Sequence, residues 1–119
     1  MIRLLASDID GTLMREGEYA IPPALFPLIR ELRARGVYFA ACSGRQYSNL
    51  RHLFAPVADE IGYICENGSL VVWQGEILSK ETIDRTIGQA LMRKILAQPD
   101  SEALLSGVHT CYTQPNNPD

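Results

Sequence analysis

Residues 2–13 read IRLLASDIDGTL, and this stretch indicates an α/β fold. Its first six residues are mostly apolar with little alternation, which is typical of a strand buried on both faces of a parallel sheet. Asp10 and Gly11 then mark a turn, because glycine tolerates a positive φ and aspartate hydrogen-bonds its own backbone. Ligands of open parallel sheets bind beyond the carboxyl ends of the strands, so Asp8 and Asp10 stand where a site is expected.

The segments that follow alternate between helix and strand patterns. This β-α-β-α-β order favours a parallel sheet with right-handed crossovers. Gln74-Gly75 between two apolar runs then predicts a hairpin. The predicted elements are a helix with Pro23 in its first turn, an apolar stripe at Leu25, Leu28, Ile29 and Leu32 and a cap at Gly36, a strand over Val37–Cys42, a helix through Tyr47, Leu50, Leu53 and Phe54, a strand over Tyr63–Cys65, and the hairpin of Leu70–Trp73 with Glu76–Leu78.

The composition changes again from Lys80. Thr82 is the predicted cap of a helix through Ala97, with apolar residues at helical spacing. Residues 102–114 are predicted to hold a strand, and residues 115–119 form a polar cluster with two prolines that ends regular structure.

Composition excludes several classes of protein. The 119 residues carry 11 Lys+Arg and 14 Asp+Glu, a net charge of −3, so no basic surface for nucleic acid is expected. The longest apolar run, Val37–Cys42, is far shorter than the 18 or more residues of a membrane-spanning helix. No secretory signal is visible, and three cysteines without metal-ligand spacing predict a reduced, cytoplasmic protein.

Asp8 and Asp10 carry the chemistry that this strand end suggests. Residues two apart in an extended segment point to the same side, and paired carboxylates suit Mg²⁺, which prefers oxygen ligands. One carboxylate can also attack phosphorus as a nucleophile while the other exchanges protons with the leaving group and water. The alternative is that both residues only form a turn or cap a helix.

Residues 7–13 resemble the first motif, D-x-D-G-T-[LV], of the haloacid dehalogenase (HAD) superfamily of phosphohydrolases. Residues 43–45, Ser-Gly-Arg, resemble its second motif, and residues 66–69, Glu-Asn-Gly-Ser, resemble a segment of the Cof-type subgroup, which acts mostly on sugar phosphates and related small phosphoesters. The resemblance is continuous from residue 2 to about 80. It implies a HAD-like Rossmannoid parallel sheet with helices on both faces, with residues 1–80 in the core domain and 81–119 beginning an inserted α/β cap.

The resemblance also implies roles for matching residues. Asp8 falls at the nucleophile that becomes an aspartyl-phosphate, and Asp10 falls at the general acid/base. Arg45 and Asn67 are candidates for substrate contact, although an arginine just after a loop is more often solvated or ion-paired, and Asn67 is at least as strong a candidate for turn chemistry. The implied set is Asp8 and Asp10 for catalysis and for Mg²⁺, the N–H groups of Ile9 and Gly44 and the Ser43 hydroxyl for phosphate, and Arg45 and Asn67 for substrate.

Two further motifs of the family, a lysine and a later acidic G-D-x-x-N-D segment, have no match, because Lys80 and Lys94 are the only lysines and lie outside the motifs. We therefore expect the amino-terminal part of a longer Mg²⁺-dependent phosphatase for a small phosphorylated metabolite, with the 119-residue chain incomplete and inactive. The alternatives are a phospho-acceptor domain of the response-regulator type and a non-catalytic Mg²⁺-binding module. Oligomeric state stays open.

Overall fold

The computed structural model describes residues 1–113, which divide into two compact units, Met1–Lys80 and the residues from Glu81 onward. The polar cluster predicted over residues 115–119, and residue 114 before it, lie outside the described residues. No helix in the described part of the chain is both long enough and apolar enough to cross a membrane.

A five-stranded mixed sheet organises the first unit, with strand order β1-β2-β3-β4-β5. The first three strands are parallel, and β4 and β5 add two antiparallel pairings. The α/β class and the hairpin are therefore confirmed. The elements are β1 Leu4–Asp8, α1 Leu25–Ala34, β2 Tyr38–Cys42, α2 Tyr47–Leu53, a 3₁₀ turn Ala55–Val57, β3 Gly62–Cys65, a 3₁₀ turn Glu66–Gly68, β4 Leu70–Trp73 and β5 Glu76–Lys80.

The register of the parallel strands brings three loops to one edge of the sheet. Asp8 at the end of β1 pairs with Cys42 at the end of β2, and Cys42 pairs with Ile64 of β3. The residues that follow these strands therefore begin side by side, because parallel strands end at a common edge.

The residue that follows helix α2, Phe54, packs in the core against the sheet. The ring of Phe39 in β2 lies 5.9 Å from that of Phe54, which follows α2, and both side chains are buried. Helix α1 lies beside the segment after α2, where Arg30 pairs with Glu60. Both crossovers step in the same direction, so right-handed connections place α1 and α2 on one face. Helices on the opposite face are not among the described elements of residues 1–80.

Helix α1 differs from its prediction in two details. It begins at Leu25, so Pro23 precedes it, while Pro27 falls in the first turn where a proline is tolerated. Leu28 of the predicted apolar stripe is 54% exposed, whereas Ile29 is fully buried. The buried stripe of α1 is therefore narrower than the spacing of leucines predicts.

The second unit contains α3, Arg85–Leu96, and a hairpin of β6, Leu104–Ser106, with β7, Cys111–Thr113. Thr82 is not the helix cap, so that prediction was wrong. The Asp84 carboxylate accepts hydrogen bonds from the first free amides of α3, those of Thr86 and Ile87. The single strand predicted within residues 102–114 is two short strands joined by a turn.

Candidate active site

The loop after β1 is built around the buried side chain of Ile9. The Ile9 carbonyl accepts hydrogen bonds from the amides of Thr12, Leu13 and Met14, and Gly11 takes a φ of 82° that favours glycine. Asp8 and Asp10 flank this anchor and are both exposed. The local sequence thus fixes the backbone of the loop while both carboxylates remain accessible.

Thr12 orients the Asp8 carboxylate. Its hydroxyl donates to Asp8 Oδ2 over 2.9 Å, across one tight turn of chain. A carboxylate has two oxygens with several acceptor positions, so this bond restricts the rotation of Asp8 without consuming its capacity to attack or to bind a cation.

Asp10 and Arg45 form a bidentate ion pair between the first and second loops. Arg45 Nε donates to Asp10 Oδ2 over 2.8 Å, and Nη2 donates to Oδ1 over 2.7 Å. The hydrogen bonds from Arg45 lower the pKa of Asp10 below its ordinary value, and the same pair raises the pKa of Arg45. The remaining terminal nitrogen, Nη1, donates to Asn49 Oδ1 over 2.8 Å.

Ser43 is buried at the beginning of the second loop. Its N–H donates to the Ile64 carbonyl over 2.9 Å, which continues the sheet pairing by one residue. Its hydroxyl oxygen accepts the Arg45 N–H over 3.2 Å, so the hydroxyl hydrogen can turn toward an incoming acceptor.

The third loop closes over the second. Glu66 and Asn67 adopt φ values of 51° and 56°, and the Asn67 N–H donates to the Ser43 carbonyl over 3.3 Å. The amide group of Asn67 lies directly over Gly44, where a Cβ would come within 2.9 Å of Asn67 Oδ1. Gly44 therefore allows the close approach of these two loops.

The carboxylates at this edge of the sheet can supply some, but not all, of the oxygen ligands of a magnesium ion. Among residues 1–113, no three His, Cys, Asp or Glu side chains gather as a ready metal cage. Mg²⁺ does not need one, because it is commonly held by one or two carboxylates with waters and substrate phosphate completing its shell. Asp10 is engaged by Arg45, so the carboxylate open to a cation is that of Asp8.

The structure therefore brings the predicted residues together in pairs. Asp10 meets Arg45, and Asn67 meets Gly44. Contacts of Arg45 and Asn67 with a substrate stay predictions. Two residues with contacts here were not singled out from sequence: Thr12, which lies inside the first motif, and Asn49, which lies in α2 four residues after Arg45.

Comparison with known proteins identifies the family of the chain. The family described as haloacid dehalogenase-like hydrolase matches residues 5–118. The 5-amino-6-(5-phospho-D-ribitylamino)uracil phosphatase YbjI of Escherichia coli is 28% identical over 94% of this chain and 41% of its own length. A solved structure from Eubacterium rectale matches with a TM-score of 0.86 and 32% identity over 98% of this chain and 44% of that chain. The HAD subclass IIB sugar phosphatase BT4131 matches with a TM-score of 0.73 and 25% identity over 96% of this chain and 45% of that chain. The chain thus spans less than half the length of these relatives.

Proposed function

The chain belongs to the haloacid dehalogenase-like hydrolases, and from this premise we propose that it carries the nucleophile half of a Mg²⁺-dependent phosphatase active site. The observation that carries the proposal is the placement of Asp8. It ends β1 with an accessible carboxylate oriented by Thr12, beside the loop that begins with Ser43. The neighbouring Asp10 is held by Arg45 in the same cluster of loops.

We assign the phosphate-binding role to three donors at this edge: the N–H groups of Ile9 and Gly44 and the hydroxyl of Ser43. A phosphoryl group in transfer spreads negative charge over its oxygens, so fixed donors stabilise it. Asn67 lies over Gly44, which supports a contact between its amide and the substrate. A bound Mg²⁺ would supply positive charge against the phosphate oxygens and the Asp8 carboxylate.

The proposed reaction has two displacements at phosphorus. In the first, an Asp8 oxygen forms a bond to phosphorus as the bond to the leaving oxygen breaks, and Asp10 gives that oxygen a proton. In the second, water attacks the aspartyl-phosphate, Asp10 takes a proton from the water, and the bond to Asp8 breaks to release phosphate. The pair with Arg45 favours the carboxylate form of Asp10, which the second step requires, and opposes the protonated form, which the first step requires.

The substrate we propose is a small phosphorylated metabolite, with sugar phosphates as the leading class. YbjI is a phosphatase of a phosphoribityl compound, and BT4131 is a sugar phosphatase. These names support a phosphomonoester on a sugar-like carbon skeleton. We further propose a cytoplasmic location, since no disulfide joins Cys42, Cys65 and Cys111 within residues 1–113.

We infer that the active enzyme contains more chain than these 119 residues, with the Met1–Lys80 unit as part of its core domain and the residues from Glu81 as the start of a cap. Coverage of less than half of each relative supports this. Strand β1 supports it as well, because it is paired on one side only in the described sheet. Leu4 and Leu5 are 56% and 40% exposed, whereas parallel strands are normally covered on both faces.

The test uses the product of the complete open reading frame, with Asp8→Asn compared with the matched control Asp100→Asn, which alters an aspartate of the second unit. We expect Asp8→Asn to abolish hydrolysis of a generic sugar phosphate and Asp100→Asn to leave it unchanged. Turnover retained in Asp8→Asn would refute the nucleophile assignment. Stable labelling of Asp8 by acetyl phosphate without turnover in the unmodified protein would favour the phospho-acceptor alternative instead.

A further inference from the structure

We propose that Arg45 is a positioning residue that fixes the carboxylate of Asp10, and that Asn49 holds Arg45 in place for this task. This inference rests on the proposed function, because it gives the general acid/base a defined partner. It also replaces the direct contact with the substrate that the sequence suggests for Arg45.

The bidentate geometry of the pair carries the first step of the argument. Asp10 is exposed, with 52% of its side chain accessible, so nothing but its partners restrains its rotation. Two N–H···O bonds of 2.8 and 2.7 Å, one to each oxygen, hold the carboxylate against the guanidinium. A lysine cannot reproduce this, because its ammonium is a single point of charge on a flexible stem.

Arg45 is itself held at several points, which carries the second step. Its N–H donates to the Ser43 hydroxyl over 3.2 Å, and its carbonyl accepts the Glu66 N–H over 3.1 Å. At the far end of the side chain, Nη1 donates to Asn49 Oδ1 over 2.8 Å. The backbone of Arg45 is therefore fixed by the second and third loops, and its guanidinium is aligned by α2.

The use of the guanidinium donors separates a positioning role from a substrate role. Three of the five N–H donors of arginine point to Asp10 and Asn49 in this arrangement. The edge formed by Nε and Nη2, which can bind a carboxylate or phosphate in a bidentate manner, faces Asp10. The pair thus directs this edge of Arg45 at the acid/base and makes it unavailable to the substrate.

Steady-state kinetics on the complete open reading frame product test the role. Loss of a positioning residue misplaces Asp10 in the transition state, so Arg45→Lys is expected to lower kcat about tenfold with KM within about twofold. Asn49→Ala is expected to lower kcat about threefold with the same KM, because the Asp10 contact survives but is less fixed. Arg51→Lys is the matched control, since Arg51 lies in α2, the helix of Asn49, and pairs with Asp59; it is expected to leave both constants unchanged.

A second measurement observes the pair without activity. The Arg45 Nε–H resonance, assigned through Arg45→Lys in ¹H–¹⁵N spectra of the same protein, should exchange slowly with water, and Asp10→Asn should accelerate that exchange. A rise in KM with unchanged kcat in Arg45→Lys would show that Arg45 binds substrate and would overturn the proposal. Exchange unaffected by Asp10→Asn would overturn it too. Activity surviving in Asp8→Asn would refute the proposed function alone, while the exchange measurement would still decide whether Arg45 holds Asp10.

Discussion

Gly44 is the position where a single added methyl group should disturb the site, and we predict that Gly44→Ala destabilises the first unit through Asn67. The new Cβ would lie 2.9 Å from Asn67 Oδ1, 3.2 Å from Nδ2 and 3.4 Å from Cγ. Favourable contacts between non-bonded atoms begin at about 3.5 Å, so the amide must move by about half an ångström.

The loss of stability in Gly44→Ala depends on how easily the Asn67 side chain can move away from the new Cβ. Overpacking a rigid core costs about 1–3 kcal/mol. Asn67 is exposed and the clashing atoms are the end of its side chain, so we expect the lower end, about 1 kcal/mol. Asn67→Gly removes the amide and suits the φ of 56° at that position, so it should relieve the clash without straining the turn. The two substitutions are therefore predicted to couple by about 1 kcal/mol.

Urea denaturation followed by the fluorescence of Trp73, the single tryptophan, measures this coupling because Trp73 lies in β4 of the first unit. The wild-type chain, the two single variants and Gly44→Ala/Asn67→Gly complete a double-mutant cycle. We expect Gly44→Ala to lower the free energy of unfolding in the presence of the Asn67 side chain and to be nearly neutral in its absence. An equal loss in both backgrounds would refute the reasoning, since the cost would then arise from the backbone of the loop.

Three further measurements probe the rest of the chain. Phe54→Ala, which empties a fully buried position, should lower the free energy of unfolding by about 3–5 kcal/mol. Tyr19 is 90% exposed, so Tyr19→Ala should lower it by less than about 0.5 kcal/mol, and similar losses in the two variants would contradict the assigned core. Burial raises the pKa of the Cys65 thiol to about 11, so mass spectrometry should find Cys65 unalkylated by iodoacetamide in the native protein at pH 8, and rapid labelling would disprove this. The free energy of unfolding should also fall as the pH rises from about 9 to 11, because the thiol of the unfolded chain ionises first. Asp84→Ala should lower the stability of α3 by about 1 kcal/mol, as measured by hydrogen exchange of its amides, whereas Thr82→Ala should lower it by about 0.3 kcal/mol at most. A larger loss in Thr82→Ala than in Asp84→Ala would restore Thr82 as the cap.

Local chemistry explains which parts of the fold were predictable. The turn at Gly11 has a positive φ of 82°, and the hairpin turn has positive φ values of 48° at Gln74 and 81° at Gly75. Glycine occupies two of these three positions, which makes both turns visible in the sequence. The strand ends at Asp8 and Cys42 were predictable because apolar runs stop there. These features depend on residues that are adjacent in the sequence, so the sequence pattern alone predicts them.

Features that depend on distant neighbours were not predictable in the same way. Thr82 and Asp84 are both good cap residues, and only the path of the backbone decides that the Asp84 carboxylate reaches the first amides of α3. Leu28 has helical spacing, but the width of the surface that α1 meets decides its exposure. Arg45 and Asp10 are 35 residues apart, so their pairing follows from the register of β1 with β2.

The charges at the proposed site favour a cation beyond Arg45. Asp8 carries a negative charge where the dianionic phosphate would bind, and Arg45 is already paired with Asp10. Two unit charges 4 Å apart interact by about 4 kcal/mol at an effective dielectric constant of 20, whereas one hydrogen bond to a charged group contributes about 1.5–3 kcal/mol net. A single donor such as the Ser43 hydroxyl is therefore too weak to offset the repulsion between Asp8 and phosphate alone. Because Arg45 is already paired with Asp10, the proposed Mg²⁺ is the cation that would act beside these donors in the proposed reaction.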